Sequence, residues 1–284
     1  MKVFISVDME GISGLVRWMD VSSKGIDFAA NRIAMTLDTN AAIQGAYAGG
    51  ATEVVVEENH GVEDLCVLDM QIIDERCTVV RGAGRPGATT MAALDDQVGV
   101  VLLVGHHARA GSFPGIMAHT ISYGAFKRVL LGAQPIGEAD FFARRAGELG
   151  VPVGMVSGDQ IVAEQVLNIC PQAEAVIIKQ ALGNQAAECL PPGRARALIQ
   201  AGAQRAIQRA LAGGLKALPG IGPYEFEVEL RSPVSDAMCA NLSGFDYFSV
   251  TDHQSVLVTA PNMDLGFRRV AYLGYADTPG VTRH

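Results

Sequence analysis

The sequence predicts an α/β protein, in which a mainly parallel central sheet is flanked by helices and followed by a smaller C-terminal α+β region. The chain opens with the order strand, helix, strand, which is typical of a parallel sheet. The segment Val100–Val104 is apolar throughout, as a strand covered on both faces should be. A Gly/Pro-rich break at 213–223 precedes Glu225–Leu230, where residues alternate as in a half-buried strand.

The N-terminal elements follow from local composition and spacing. Lys2–Val7 is rich in β-branched and aromatic residues and predicts a buried first strand. The following segment shows no clear periodicity and predicts a loop that contains Trp18, the single tryptophan. From about 31 to 47 apolar residues recur at helical spacing before a Gly-Gly stop, and Glu53–Val56 reads as the second strand.

The later elements continue the alternation of strands and helices. A glycine-containing loop at 108–125 carries His119 and has the length of a functional loop. The other predicted elements are a strand at 78–80, a hairpin at 129–138, a helix at 139–149, strands at 151–156 and 175–179, a helix at 193–211, a strand at 255–259 and a partly helical segment at 262–275. We therefore expect a metal-binding catalytic region at 1–212 and a C-terminal region at 224–284, either separate or part of one domain.

Composition excludes several classes of protein. The 284 residues are 49% hydrophobic, which is ample for a packed core, and the net charge of −8 argues against nucleic-acid binding. No apolar run approaches the roughly 20 residues of a membrane helix, and the N-terminus lacks the pattern of a signal peptide. The five cysteines are scattered without a Cys-x-x-Cys pair and read as reduced thiols. A cytoplasmic location is therefore expected, with no membrane and no nucleic-acid partner.

Acidic and histidine side chains follow several of the predicted strands. They are Asp8 and Glu10 after the first strand, His60 after the second, His106 and His107 after Val100–Val104, and Glu138 after the hairpin. Residues two apart on an extended chain project to the same side, so Asp8 and Glu10 can act together. The carboxyl ends of parallel strands meet at one edge of the sheet, where ligands bind.

This set of side chains suits one or two metal ions. Carboxylate and imidazole together favour a borderline ion such as zinc, and a shared acid would let the set hold two. Each member alone has a plainer explanation: a solvated acidic loop for Asp8 and Glu10, a loop histidine for His60, and a helix N-terminal acid for Glu138. Only one of the adjacent histidines is expected to face the site.

A second motif suggests a different function. The stretch Gly82-Ala83-Gly84-Arg85-Pro86-Gly87 matches G-x-G-x-x-G directly after a strand, as in a dinucleotide-binding fold. Against that function, Pro86 lies inside the motif, the unit is not the first strand–helix pair, and no acid ends a strand about 20 residues later. The sequence contains neither H-E-x-x-H nor G-x-S-x-G.

Five motifs in order resemble one known family. They are Ser6 to Gly14 (SVDMEGISG), His60 after a valine-rich strand, Gly105 to Ala110 (GHHARA), Pro114 to His119 (PGIMAH) and Pro135 to Glu138 (PIGE). Together they resemble the bacterial zinc D-aminopeptidases of the dipeptide-transport type, from Met1 to about Leu211 and including Lys179-Gln180. The residues Glu57-Glu58-Asn59 and a longer loop between His107 and His119 depart from the family pattern, which bears on substrate preference more than on metal binding.

The resemblance implies roles for individual residues. It implies that Asp8 bridges two zinc ions per subunit, that Glu10 and His107 complete one site, and that His60 and Glu138 complete the other. His119 matches the family's catalytic histidine, with a nucleophilic or a general-base role, or else is a structural loop histidine. Arg109, beside a ligand, is expected to bind a substrate carboxylate, to orient Glu10 or Glu138, or to form an ordinary salt bridge.

The sequence thus predicts a dinuclear zinc aminopeptidase that hydrolyses N-terminal residues, D-amino acids among them, from short peptides or amides. The alternatives are a dinuclear hydrolase of another amide or ester, a dinucleotide-dependent oxidoreductase and a non-catalytic metal-stabilised oligomeric module. A structural metal site is closed by protein ligands, whereas a catalytic site keeps one position open for water. Membership of the family would also imply a ring-shaped homo-oligomer.

Overall fold

The fold was analysed in a computed structural model, which describes residues 1–61, 63–85, 90–220 and 222–276. The strands are β1 (Lys2–Val7), β2 (Glu53–Glu58), β3 (Cys77–Val80), β4 (Val98–Val104), β5 (Phe126–Leu131), β6 (Gln134–Pro135), β7 (Val153–Asp159), β8 (Glu174–Ala181), β9 (Ala187–Cys189), β10 (Tyr224–Leu230), β11 (Phe248–Val250) and β12 (Ser255–Ala260). The helices are α1 (Trp18–Val21), α2 (Phe28–Gly49), α3 (Glu138–Glu148), α4 (Gln160–Ile169), α5 (Pro192–Leu211), α6 (Asp236–Leu242) and α7 (Met263–Leu273), with a short 3-10 turn at Glu63–Leu65.

A seven-stranded sheet forms the centre of the molecule, with strand order β3-β2-β1-β4-β7-β8-β9. Its neighbouring strands are parallel except for the short edge strand β9, which runs antiparallel to β8. The first strand lies in the interior of this sheet, between β2 and β4, which explains its uniformly apolar composition. The prediction of a mainly parallel sheet flanked by helices is confirmed.

The two faces of the central sheet are buried by different partners. Alternate residues of β1 divide between them: Val3 and Ile5 pack with residues of α2 and α5, whereas Phe4 packs with residues of α3, α4 and the C-terminal strands. Successive side chains of a strand point to opposite faces, so a strand buried on both sides carries no polar alternation. This burial fixes the register that brings the strand ends together.

A second, antiparallel sheet has the order β11-β12-β10-β5-β6. The predicted hairpin at 129–138 is present as β5 and β6, and β5 pairs with β10, so one sheet links the predicted regions 1–212 and 224–284. Helix α7 covers this sheet through Phe267, which contacts Phe141 and Phe142 of α3. The C-terminal region therefore packs directly behind the helix that begins at Glu138.

Two findings refine the predicted elements. Helix α4, which the sequence analysis did not assign, begins where the Asp159 carboxylate accepts hydrogen bonds from the amides of Ile161 and Val162. Helix α1 lies within the predicted Trp18 loop. Pro86 and Gly87 of the G-x-G-x-x-G stretch lie outside the described residues.

Within the described part of the chain, no helix is both long and apolar enough to cross a membrane.

Candidate metal centre and active site

The predicted site residues meet at the carboxyl edge of the central sheet. Asp8 and Glu10 follow β1, His60 follows β2, His107 follows β4, and Glu138 is the first residue of α3. All five are buried, with exposed fractions of 8% or less. Glu138 also occupies the helix N-terminus that the plainer explanation assigned to it, a position that favours a negative charge.

A close backbone crossing places Asp8 and Glu10. The Asp8 amide donates to the Val104 carbonyl at 2.9 Å, and the Gly11 amide donates to the Gly105 carbonyl at 2.7 Å. A Cβ atom at position 11 would lie 2.1 Å from the His106 carbonyl oxygen, so only glycine fits there. The glycine after Glu10 thus lets β1 and β4 end side by side, with their polar side chains adjacent.

Two groups of ligand atoms share Asp8. His60 Nδ1 lies 3.3 Å from Asp8 Oδ1 and 3.1 Å from Glu10 Oε2. On the other side, His107 Nε2 lies 3.3 Å from Asp8 Oδ2 and 3.3 Å from Glu138 Oε1. The two oxygens of Asp8 thus face different histidines, as a bridging carboxylate requires.

These contacts pair the residues differently from the pairing that the resemblance implies. The shortest distances group Glu10 with His60 and Glu138 with His107, rather than Glu10 with His107 and His60 with Glu138. A third possible group, of Glu10, His107 and His119, also has its ligand atoms close together. The shared position of Asp8 is common to both pairings.

The spacing of the ligand atoms fits zinc. Ligands about 2.0–2.2 Å from a tetrahedral ion lie about 3.3–3.6 Å from one another, close to the 3.1–3.3 Å distances of the two groups. Within the described residues, His107 Nε2 is buried without a hydrogen-bond partner although two carboxylate oxygens lie beside it. A buried nitrogen of this kind fits a metal ligand better than a structural group.

Backbone carbonyls set the tautomer of each histidine. His60 Nε2 lies 2.9 Å from the Val21 oxygen, and His107 Nδ1 lies 3.0 Å from the Ala108 oxygen. A carbonyl only accepts hydrogen bonds, so these ring nitrogens carry protons, and the opposite nitrogens are the ones that a metal ion would bind. Metal-binding histidines in proteins are oriented in this way.

Charge is concentrated in this buried site. Burial alone would lower the pKa of His60 and of His107, but the neighbouring carboxylates outweigh it and raise both pKa values well above the ordinary range. Burial would raise the pKa of Asp8, but the adjacent imidazoles of His107 and His60 hold that pKa well below its ordinary value. Without a cation the histidines therefore hold protons, which a metal ion would displace.

His119 stands beside the two groups with a free nitrogen. Its ring stacks on His107 at a centroid distance of 4.0 Å, and its Nδ1 lies 2.9 Å from the Met117 oxygen. The other nitrogen, Nε2, lies 3.8 Å from Glu138 Oε1 and 4.0 Å from Glu10 Oε1. Burial, with a further contribution from His107, lowers the pKa of His119, so this imidazole is neutral and can accept a proton.

The two remaining predicted residues lie apart from the ligand groups. His106 Nε2 contacts the Ser6 hydroxyl at 3.0 Å, and its ring packs against Phe142, so only His107 of the pair joins the site, as expected. Arg109 interacts electrostatically with Asp140 and is not among the described residues that line the adjoining cavity. Its role in substrate binding therefore stays a prediction.

Two supporting residues were not identified as such from the sequence. The Lys179 ammonium group is buried and donates to the Glu10 carbonyl at 2.9 Å and to the Leu15 carbonyl at 2.6 Å, which fixes the turn that carries Glu10. Asp159 accepts from the Ile116 amide at 2.7 Å and so anchors the loop that carries His119. In the sequence, the signal for Lys179 was a lysine within a strand, and the signal for Asp159 was an acid at the N-terminus of a helix.

A cavity of about 810 Å³ opens onto this site. It is lined by Asp8, Glu10, His60, His119 and Glu138 at its base, with Trp18, Ile121, Tyr123 and Phe267 among the apolar residues of its walls. Its volume falls in the range of pockets that hold small organic ligands. The metal-ligand groups are therefore reachable by a substrate.

Fold and site together are those of a metal-dependent hydrolase. Candidate carboxylate and imidazole ligands lie at the carboxyl edge of a mainly parallel sheet, and a buried histidine beside them lines an open cavity. The sequence matches the peptidase M55 family, described as D-aminopeptidase, over residues 1–271. The chain belongs to this family, and it is an aminopeptidase that hydrolyses peptide bonds.

Two further comparisons support this assignment. A D-aminopeptidase from Bacillus subtilis (strain 168) is 33% identical over 199 residues, which span 70% of this chain and 71% of the relative. A solved structure described as the Zn-dependent D-aminopeptidase DppA from Bacillus subtilis, a self-compartmentalizing protease, superposes with a TM-score of 0.87 at 26% identity. That match covers 99% of this chain and 100% of the other. The predicted family is thus confirmed.

Proposed function

We propose that the protein is a dinuclear zinc aminopeptidase that releases N-terminal D-amino acids from short peptides or amides. The observation that carries the proposal is the sharing of Asp8 between two groups of ligand atoms beside the neutral His119. The relative described as zinc-dependent supports zinc as the metal, and its description as self-compartmentalizing supports a homo-oligomer.

Asp8, Glu10, His60, His107 and Glu138 would hold the ions. Two zinc ions, when bound, would polarise the scissile carbonyl and lower the pKa of a water molecule toward about 7. Each group supplies three protein ligands, which leaves a coordination position for water or substrate. This open arrangement, together with the cavity, favours catalysis over a site that merely holds strand ends together.

His119 would move the proton. Its Nδ1–H is committed to the Met117 carbonyl, so Nε2 is the atom that accepts a proton from the attacking nucleophile and returns it to the departing amine. The loop that carries it is held by Asp159 and by the bond from the His119 amide to the Ala108 carbonyl, at 3.1 Å. These contacts fix the base relative to the ligand His107.

The test measures ammonia release from D-alaninamide and L-alaninamide by zinc-loaded protein, before and after chelation. We expect chelator-sensitive turnover that favours the D-amide. His119→Ala should lower kcat by about 10²–10⁴-fold with two zinc ions still bound per chain. His253→Ala is the matched control, because His253 is exposed and lies outside the ligand groups. Unchanged turnover in His119→Ala would remove this residue from the mechanism.

A further inference from the structure

The cavity above the metal-ligand groups is far larger than an N-terminal alanine needs. Its 810 Å³ lies toward the upper end of the roughly 300–1,000 Å³ range of pockets that enclose drug-sized ligands. An alanine side chain is a single methyl group, which would leave most of the apolar wall uncovered. Even with the ions and the rest of the substrate bound in the same space, the cavity leaves room for a larger side chain than that of alanine.

An aromatic pair forms the wall nearest to His119. Trp18 packs edge-on against the His119 ring at a centroid distance of 5.3 Å, and Tyr123 packs against Trp18 at 4.4 Å. Both line the cavity. A flat apolar surface beside the base can bury a substrate side chain at the point where the substrate must be held for reaction.

The pair is held in place from outside the cavity. The Arg231 guanidinium lies 4.8 Å from the centre of the Tyr123 ring, and Arg231 Nε donates to the Tyr123 carbonyl at 2.6 Å. The Trp18 amide donates to Gln185 Oε1 at 3.2 Å. A wall that is already ordered loses little conformational entropy when a ligand binds.

A strained residue completes this wall. Ile121 lines the cavity with a backbone φ of +61°, a left-handed conformation that is unfavourable for a β-branched residue. Its amide donates to the metal-ligand candidate Glu138 at 2.7 Å. Such strain is retained where the surrounding structure needs a particular backbone geometry, and here it sets an apolar side chain beside the reacting groups.

The charge of the lining excludes one class of side chain. Among the described residues that line the cavity, four are acidic and none is lysine or arginine. Three of these acids are proposed zinc ligands, so away from the ions a carboxylate on the substrate side chain would meet Asp64 and apolar residues but no cationic side chain, and its desolvation would be uncompensated. The wall therefore suits apolar and aromatic side chains better than acidic ones.

We propose that Trp18 and Tyr123 are specificity-determining residues that select N-terminal residues with large apolar side chains, of the leucine and phenylalanine type, over alanine and over acidic residues. The selection rests on the proposed function, because it concerns the residue whose peptide or amide bond is hydrolysed. Trp18 and Tyr123 supply apolar contact area, and the ligand groups and His119 supply the chemistry.

The kinetic test compares D-alaninamide, D-leucinamide, D-phenylalaninamide and the α-amide of D-aspartate, which all release ammonia. We expect kcat/KM to be at least tenfold higher for the phenylalanine than for the alanine amide, and lowest for the aspartate amide. Trp18→Ala should reduce the phenylalanine-to-alanine ratio at least fivefold, and Trp18→Phe should reduce it less. Leu211→Ala, an exposed position on α5 outside the cavity, should leave the ratio unchanged. A ratio near one in the wild-type protein would overturn the proposal.

A binding test separates this proposal from the proposed function. Trp18 is the only tryptophan, so its fluorescence reports on this wall alone. D-phenylalaninol and D-alaninol have no amide bond and cannot be hydrolysed. We expect D-phenylalaninol to change the emission with a Kd at least tenfold below that of D-alaninol. Equal Kd values would refute the selection even if the amides are hydrolysed, whereas tight binding without any chelator-sensitive hydrolysis would refute only the proposed function.

Discussion

Replacing Lys179 with methionine tests whether a buried cation that contacts no metal ligand side chain still controls the site. The substitution keeps the length of the side chain but removes two hydrogen bonds, to the carbonyl oxygens of Glu10 and Leu15. Those oxygens bracket the turn that follows β1. We expect the turn to lose its fixed geometry and Glu10 to lose its place beside His60.

The expected change in global stability is small, because two contributions oppose each other. Burial lowers the pKa of Lys179 from 10.5 to about 8, which corresponds to about 3 kcal/mol spent on keeping the charge in the folded protein. Methionine removes this penalty but leaves two carbonyl oxygens unsatisfied, at about 1–3 kcal/mol each. The free energy of unfolding should therefore change by no more than about 3 kcal/mol.

Two assays on the Lys179→Met protein separate stability from function. Urea unfolding should show a folded protein, whereas zinc content after dialysis against a weak chelator should fall, and kcat/KM for D-amides should drop at least tenfold. Leu211→Ala serves as the control for handling and folding. Full zinc occupancy together with wild-type kcat/KM would refute the positioning role of Lys179, and failure to fold would refute the energetic argument.

Two further predictions follow from the same contacts. Asp159→Ala should lower the free energy of unfolding by about 1–2 kcal/mol, because α4 loses its N-terminal cap. It should also lower kcat, because the Ile116 amide loses its anchor to the Asp159 carboxylate. Urea unfolding measures the first effect and steady-state kinetics the second. Wild-type stability with wild-type kcat would contradict both roles. Zinc affinity should fall as the pH falls, because the raised pKa values of His60 and His107 make protons compete with the ion. Chelator competition at pH 6, 7 and 8 should show a loss of up to about tenfold per pH unit for each histidine, and a pH-independent Kd would be inconsistent with these ligands.

Strand ends could be predicted from the sequence because their signals are local. The first apolar run stops at Asp8, and the run Val100–Val104 is followed by a glycine and two histidines. Each pattern shows both the strand and the polar residues that follow it. The parallel order of strands then brings the ends together without further information. The confirmed fold class and the convergence of the candidate ligands both depend on this reasoning.

Features that depend on contacts between distant segments could not be predicted in the same way. The pairing of β5 with β10 joins residues about 100 positions apart, and nothing in either segment specifies the other. The choice of partner for Glu10 likewise depends on how the two oxygens of Asp8 are oriented. Helix α4 is a different case, because its capping residue Asp159 is a local signal that lies beyond the predicted strand at 151–156.

The acids that precede His60 show how one strand end can serve two purposes. The Glu57 carboxylate accepts hydrogen bonds from the amides of Ala92 and Ala93, and the Glu58 carboxylate accepts from the amide of Leu68. These carboxylates therefore bind loop amides instead of joining the ligand groups. The anchored loops contribute residues to the cavity wall, including Leu65 and Thr90.

Substitution at these two positions would therefore move the wall of the cavity while His60 stays beside Asp8 and Glu10. That the departure of Glu57-Glu58-Asn59 from the family pattern bears on substrate preference more than on metal binding stays a prediction. Because the candidate ligand His60 and the wall anchors Glu57 and Glu58 lie within four consecutive residues of one strand end, we expect that substrate selection can change without loss of the metal site.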